Sequence, residues 1–127
     1  MYKKCSLVKM KTFHFTLHAP VYVYTKTCPS GVAPLAFFKE QLGESYLLKL
    51  EEAQRENFAF TFPCRCIQLE EKTALTAVGI TAKVAAVLAQ QDIPCNVVAA
   101  YHHDYFFVPE VMAEQAVKLL NAAGLTS

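Results

Sequence analysis

The chain of 127 residues has few glycines and almost no net charge, and each of these features argues against a class of function. Its four glycines are too few and too scattered for a phosphate loop or a dinucleotide-binding motif, so we expect no cofactor. With 12 basic and 11 acidic side chains, the net charge is +1, which argues against a nucleic-acid partner. The basic side chains that do cluster, Lys3, Lys4, Lys9 and Lys11, are interpreted as a solvated tail.

Long apolar runs and paired cysteine motifs are also absent. No run approaches the ~18–20 residues of a membrane helix, and Lys9 and Lys11 interrupt any signal-peptide core. We therefore predict a soluble, cytoplasmic protein without a membrane partner. An odd number of cysteines without C-x-x-C fits reduced, mostly buried thiols. They are Cys5, Cys28, Cys64, Cys66 and Cys95.

The chain does have a high apolar content, which at 54% hydrophobic and 18% charged residues predicts a well-filled interior. Its length suits one domain, or two small halves that share a core. In the first half we predict strands at Val21–Thr27 and Ser45–Leu50, followed by a helix-prone Glu51–Asn57. Residues 32–43 are ambiguous, since Pro34 could open a short helix there.

The second half has a more legible pattern of strand, helix, strand, strand, helix. This is a split βαβ ferredoxin-like unit without its last strand, which an N-terminal strand such as residues 21–27 would complete or extend. The predicted strands 95–101 and 105–108 are apolar on both faces, so both faces should be covered, by the N-terminal half, a second subunit or both. The predicted elements are a strand within Phe58–Leu69, a helix from an N-cap at Thr76 to Gln91, a strand at Cys95–Tyr101, a turn at His102–Asp104, a strand at Tyr105–Val108 and a helix at Glu110–Ala123.

Two segments in this half carry a family resemblance. The stretches TAVGITA (Thr76–Ala82) and IPCNVVAAYHHDYFFVP (Ile93–Pro109), and less specifically HAPVYVY (His18–Tyr24), resemble a family of small bacterial proteins with two tandem ACT-like halves. The resemblance implies an α+β, ferredoxin-like βαββαβ fold and a homodimer formed through sheets or helices. It also implies an effector site at an interface, usually for an amino acid. The expected division is a tail or edge element at 1–17, an N-terminal ACT-like half at 18–61 and a C-terminal ACT domain at 62–127.

The start of the first long helix is the first candidate site. Backbone N–H groups and the positive end of the helix dipole suit a carboxylate, and Gly79 has no Cβ to keep a ligand away. The resemblance places the effector at this position. The alternative is that Gly79 only permits close packing. The candidate residues are Thr76, Ala77, Val78, Gly79 and Ile80.

The following strand is the second candidate site. Asn96 is the one amide in an apolar strand and offers both a donor and an acceptor for an effector's amino or carboxylate group. Val97 and Val98 would then contact the effector's side chain or a partner. The alternative is that Asn96 ties the Pro94 loop to the helix start.

The turn His102, His103, Asp104 is the third candidate, for a ligand or an interface. Adjacent histidines point to opposite sides and do not readily share a metal ion, so no metal site is predicted, although Cys64-x-Cys66 with a distant histidine could bind zinc. The leading prediction is a non-catalytic regulatory or sensor module that binds an amino acid. The alternatives are a protein–protein interaction module without a small ligand, and a small enzyme that uses His102 or His103.

Overall fold

Within residues 11–127, the fold is a six-stranded antiparallel sheet with three helices on one face. The computed structural model describes residues 11–127, so Cys5 and the lysines at 3, 4 and 9 lie outside the described residues. A single 3₁₀ turn, Glu110–Met112, leads into the last helix. The strands and helices are β1 Phe15–Thr25, β2 Ala36–Glu40, β3 Gly43–Lys49, α1 Leu50–Arg55, β4 Thr61–Leu69, α2 Ile80–Ala89, β5 Asn96–Ala99, β6 Asp104–Pro109 and α3 Ala113–Ala122.

The strand order is β2-β3-β1-β4-β6-β5. The first strands of the two halves, β1 and β4, therefore lie side by side at the centre of the sheet, and each adds a strand to the other half. Strands β4, β5 and β6 with α2 and α3 form the ferredoxin-like unit, and β1 pairs antiparallel to β4 at the place of its fourth strand. Strands β1, β2 and β3 with α1 form a second unit with the same strand arrangement but without the first helix, and β4 lies at the place of its fourth strand. The predicted completion of the C-terminal sheet by an N-terminal strand is confirmed.

The face that carries the helices encloses the main core. Here β1 contributes Phe15, whose ring meets Phe106 edge-on at a centroid distance of 6.4 Å. Asn121 of α3 fixes this end of β1, because its Oδ1 accepts from the Phe15 N–H at 2.9 Å and its Nδ2 donates to the Phe15 carbonyl at 3.0 Å. The buried members of this core are Phe13, Phe15, Ile67, Leu69, Val84, Leu88, Ile93, Phe106, Val108, Ala113, Ala116 and Leu120.

The opposite, open face of the sheet is apolar as well, as predicted from the two-sided strands. The sheet curves around this face, because Leu35 and Ala36 of the N-terminal half line one cavity together with Val98 of β5. The N-terminal half therefore covers part of the C-terminal sheet. The buried side chains of this face are Tyr22, Leu47, Cys64, Cys66 and Phe107.

Irregular pairing between β1 and β4 adds to this curvature. The register shifts between Leu17 and Val21, at the point where Pro20 lies in β1. A proline has no N–H for the ladder, so within a sheet it is confined to an edge or a bulge. The Arg65 side chain spans the shift by donating from Nε to the His18 carbonyl at 3.0 Å, which fixes His18 beside the open face.

Within the stretch that the sequence leaves ambiguous, residues 36–40 form strand β2 and not a helix opened by Pro34. One local prediction is wrong. Thr76 is not the N-cap of α2, because Gly79 takes that position in the left-handed conformation, with φ of +88°. Gly124 follows the end of α3 in the left-handed conformation, with φ of +61°. In the described stretch 11–127, no helix combines the length and the hydropathy that crossing a bilayer requires.

Candidate functional site

The first turn of α2 presents free backbone donors. The first intrahelical bond runs from the Lys83 N–H to the Gly79 carbonyl at 3.0 Å, so the N–H groups of residues 80–82 have no partner within the helix. No side chain in the described part of the chain caps this end, and its first turn carries no acidic residue. The left-handed Gly79 turns the chain sharply into the helix, and most L-residues would be strained there. This helix end is therefore open to an anion.

A buried carboxylate lies across the same cavity. Asp104 is 8% exposed at the start of β6, and its Oδ2 accepts a hydrogen bond from the Thr73 hydroxyl at 3.0 Å. The cavity between α2, the preceding loop and the β5–β6 end has a volume of about 480 Å³, and we call it the α2 cavity. Its lining residues are Ala74, Leu75, Ala77, Gly79, Ile80, Thr81, Ala82, Ala85, Ala99 and Asp104.

The two polar features of the α2 cavity have opposite sign. The helix start has the partial positive charge of the macrodipole, whereas Asp104 supplies a carboxylate. Among the described residues, no other charged side chain lines the cavity, and most of its wall is alanine, leucine and isoleucine. A zwitterion with a small apolar group has the complementary charge pattern.

The structure brings only some of the predicted site residues into this cavity. Ala77, Gly79 and Ile80 line it, while Thr76 and Val78 lie beside them, with Val78 88% exposed. Residues 96–98 do not line it. Asn96 pairs with Phe107 on the open face, as does Val98 with Tyr105, whereas Val97 packs against the core beneath the helices.

The side chains of the three residues in the predicted H-H-D turn lie in different parts of the molecule. His102 is exposed with its ring against Tyr101, His103 lies beside Tyr105 of the open face, and Asp104 begins β6 on the helix side. The two histidines therefore do not line the α2 cavity together with Asp104. Within residues 11–127, no three histidine, cysteine, aspartate or glutamate side chains lie close enough together to hold a metal ion.

Sequence reasoning missed Thr73, which hydrogen-bonds to Asp104, and six of the residues that line the α2 cavity. The six are Ala74, Leu75, Thr81, Ala82, Ala85 and Ala99. Thr73 follows the charged turn Glu70–Lys72, and a hydroxyl there gives no sign that it will reach a carboxylate 31 residues away. Ala99 enters the cavity because it is the Cα partner of Asp104 in the β5–β6 pair. The β5–β6 pairing register is the signal that could have found Ala99.

Comparison with known proteins gives the fold and the site a context. Two models of the ACT domain match the sequence, one over residues 61–122 and one over residues 7–65. A protein of unknown function from Vibrio cholerae, described as a possible transport protein, is 30% identical with a TM-score of 0.78, over 90% of this chain and 91% of that chain. The chain belongs to the ACT-domain family.

Two further solved structures share the fold of this ACT-domain protein. A protein from Agrobacterium tumefaciens is 16% identical with a TM-score of 0.70, over 90% of each chain. The regulatory subunit of aspartate kinase from Thermus flavus is 10% identical with a TM-score of 0.62, over 90% of this chain and 97% of that chain. At these identities the likeness concerns the fold alone. A comparison with the curated proteins finds no match.

Proposed function

We propose that this ACT-domain protein is a non-catalytic regulatory module that binds one free amino acid in the α2 cavity. The observation that carries the proposal is the open helix end facing Asp104 across one cavity. The N–H groups at residues 80–82 would hold the α-carboxylate, and Asp104 would hold the α-ammonium group. The regulatory subunit of aspartate kinase has the same fold, which supports a regulatory role in general.

The walls of the α2 cavity favour a small, uncharged amino-acid side chain. Ala74, Ala82 and Ala85 leave room but offer neither a charge nor a long hydrogen-bonding group. Leu75, which lines the cavity, and Val78, which lies close to it in the chain, are both exposed in the single chain. A second copy that covered them would complete the site, so we propose a homodimer with the effector at its interface. Differential binding to two packings of that dimer would report effector concentration.

The direct test is a thermal-unfolding scan with each of the twenty amino acids. An amino acid present at 100 times its Kd is expected to stabilise the protein by about 2.7 kcal/mol.

Asp104→Asn keeps an acceptor for Thr73 but removes the charge, and should weaken binding about 10- to 100-fold, because a hydrogen bond to a charged group contributes about 1.5–3 kcal/mol. Asp92→Asn is the matched control: Asp92 is exposed, and asparagine tolerates its φ of +55°.

A companion variant separates the two candidates for the ammonium group. Asn96 lies on the open face, so Asn96→Ala is expected to leave the affinity for the stabilising amino acid within about twofold of the wild type. A loss in Asn96→Ala beside unchanged binding in Asp104→Asn would overturn the assignment to Asp104. No stabilisation by any of the twenty amino acids would overturn the proposed function.

The exposed β2 edge favours a second candidate function, a protein-interaction module. Strand β2 is at one edge of the sheet, and it and its flanks expose large apolar side chains that a partner could bury. A partner that binds this edge with no amino-acid response would favour this function. The exposed apolar residues are Leu35, Phe37, Phe38 and Leu42.

A further inference from the structure

The open face of the sheet contains a second cavity, separate from the α2 cavity. Its volume is about 360 Å³, within the range of small-molecule sites, and we call it the open-face trough. Its walls come from β1, β2, β4, β5 and β6. The lining residues are His18, Tyr22, Leu35, Ala36, Cys66, Val98, Ala100, Tyr105 and Phe107.

The trough exists because the sheet is strongly curved. Strands β2 and β5 are the two edges, five strand spacings apart, which would be about 24 Å in a flat sheet. Ala36 of β2 and Val98 of β5 nevertheless line the same cavity. The trough is therefore enclosed on two sides by opposite edges of one sheet, and not an open patch on a flat surface.

The floor of the trough is already buried in the single chain. Tyr22, Cys66 and Phe107 are nearly inaccessible, while Leu35 and Val98 at the rim are partly exposed. A second sheet laid flat on this face would contact the rim and leave the floor uncovered. A small molecule or one inserted side chain fits this depth better than a flat partner does.

The chemistry of the trough is aromatic and uncharged. Among the described residues, none of those that line it is acidic, lysine or arginine, and four carry planar rings. The rings of Tyr22 and Phe107 meet edge-on at 6.2 Å, as do those of His18 and Tyr105 at 6.5 Å. Burial raises the pKa of the Cys66 thiol to about 12, so the floor stays neutral at pH 7. Edge-on and offset contacts are the arrangements in which a further ring is stabilised.

One polar group on the wall is ready to accept a hydrogen bond. His18 Nε2 lies 2.9 Å from Gln68 Oε1, and because an amide oxygen only accepts, Nε2 carries the proton. In the neutral ring this leaves Nδ1 as an acceptor. A bound ring with an N–H or O–H donor could use it.

We propose that the open-face trough is a second ligand site, which binds an uncharged planar aromatic molecule with an N–H or O–H donor, of the indole or phenol type. The rings of Tyr22, Tyr105 and Phe107 contact the ligand's ring, and His18 accepts its donor. This site is independent of the α2 cavity, which requires a zwitterion. The chain thus has one site for charged and one for neutral small molecules, on opposite faces of its sheet.

Indole is the probe, titrated into the full chain and followed by backbone amide NMR. The amides of Val98, Ala100 and Tyr105 should shift with a single Kd, while those of Thr81 and Ala82 in the α2 cavity should not. Val98→Phe fills the rim of the trough, where Val98 is 37% exposed, and should weaken binding at least tenfold. Val111→Phe makes the same change at a position 91% exposed and away from the trough, and should leave the Kd unchanged.

A second pair of measurements tests the hydrogen bond without depending on the fold of Val98→Phe. 1-Methylindole lacks the N–H donor and should bind about five- to tenfold more weakly than indole, as expected for one hydrogen bond. His18→Phe keeps a ring but removes the acceptor, so the preference for indole over 1-methylindole should disappear. A preference that survives in His18→Phe would overturn the role of His18.

The same titration distinguishes the other occupants of the trough. Indole shifts at Thr81 and Ala82 alone would overturn the second site while leaving the amino-acid proposal intact. No indole binding, beside a dimer that Val98→Phe dissociates in sedimentation, would overturn the proposal and assign the trough to a second copy. Indole-3-acetate binding as tightly as indole would contradict the requirement for a neutral ligand.

Discussion

Phe15→Ala is expected to lower the free energy of unfolding by about 3–5 kcal/mol, which is a large part of the stability of a domain this size. Phe15 belongs to the N-terminal half, yet its ring is buried in the C-terminal core against Phe106. Removing it leaves a cavity between β1 and α3, which can close only if Asn121 releases the Phe15 backbone. Both halves should therefore melt together in a single transition at lower denaturant, measured by circular dichroism and by aromatic fluorescence.

The matched control is Phe38→Ala. Phe38 is 70% exposed on β2, so the same substitution should change the free energy of unfolding by less than about 1 kcal/mol. Two separate transitions in Phe15→Ala, with the N-terminal half unaffected, would contradict the shared-strand architecture.

Alkaline pH is expected to destabilise the protein through its buried thiols. Burial raises the pKa of Cys64 and Cys66 to about 12 and that of Cys95 to about 11, against about 8.5 for an unfolded cysteine. Above about pH 8.5 the unfolded chain releases thiol protons that the folded chain keeps, so its free energy falls relative to the folded state. The free energy of unfolding should then drop by up to about 1.4 kcal/mol per pH unit for each such thiol. Denaturant titrations between pH 7 and pH 10.5 measure this slope.

Cysteine variants show which thiols cause the decline of the free energy of unfolding with pH. Cys64→Ala/Cys66→Ala should lower stability at pH 7 through lost packing, but its further decline with pH should be shallower by about two thiols. Cys95→Ala should remove about half as much of the slope. An unchanged slope in the double variant would assign the alkaline loss to other groups, such as Tyr22 and Tyr24, whose pKa values burial also raises.

The C-terminal elements could be predicted because their signals are local. Helices α2 and α3 have apolar residues at helical spacing, and Pro94 and Gly124 mark where they end. Strand β2 could not be predicted this way. It is an edge strand with Phe37 and Phe38 exposed, so the alternation of buried and exposed residues that identifies a strand is missing.

The candidate site was predictable only in part, for a geometric reason. Of the predicted stretch 76–80, Ala77, Gly79 and Ile80 line the cavity, whereas the free N–H groups belong to residues 80–82. The sequence predicts Asp104 only as one member of the H-H-D turn. Its place beside Ala99 in the cavity follows from the β5–β6 pairing register, which the sequence does not show. Asn96 shows the same limit: in a strand apolar on both sides, parity alone decides which face a residue occupies, and the sequence does not reveal that parity.

The central pairing of β1 with β4 has a consequence for the number of amino acids that one chain can bind. The β1–β4 pair relates the two halves by an approximate twofold repeat, so a site in one half has an equivalent position in the other. The equivalent of α2 and its loop is the connection of residues 26–35 between β1 and β2, which contains no helix and hence no helix end. A calorimetric titration should therefore count one amino acid per chain, although two ACT-domain models match the sequence.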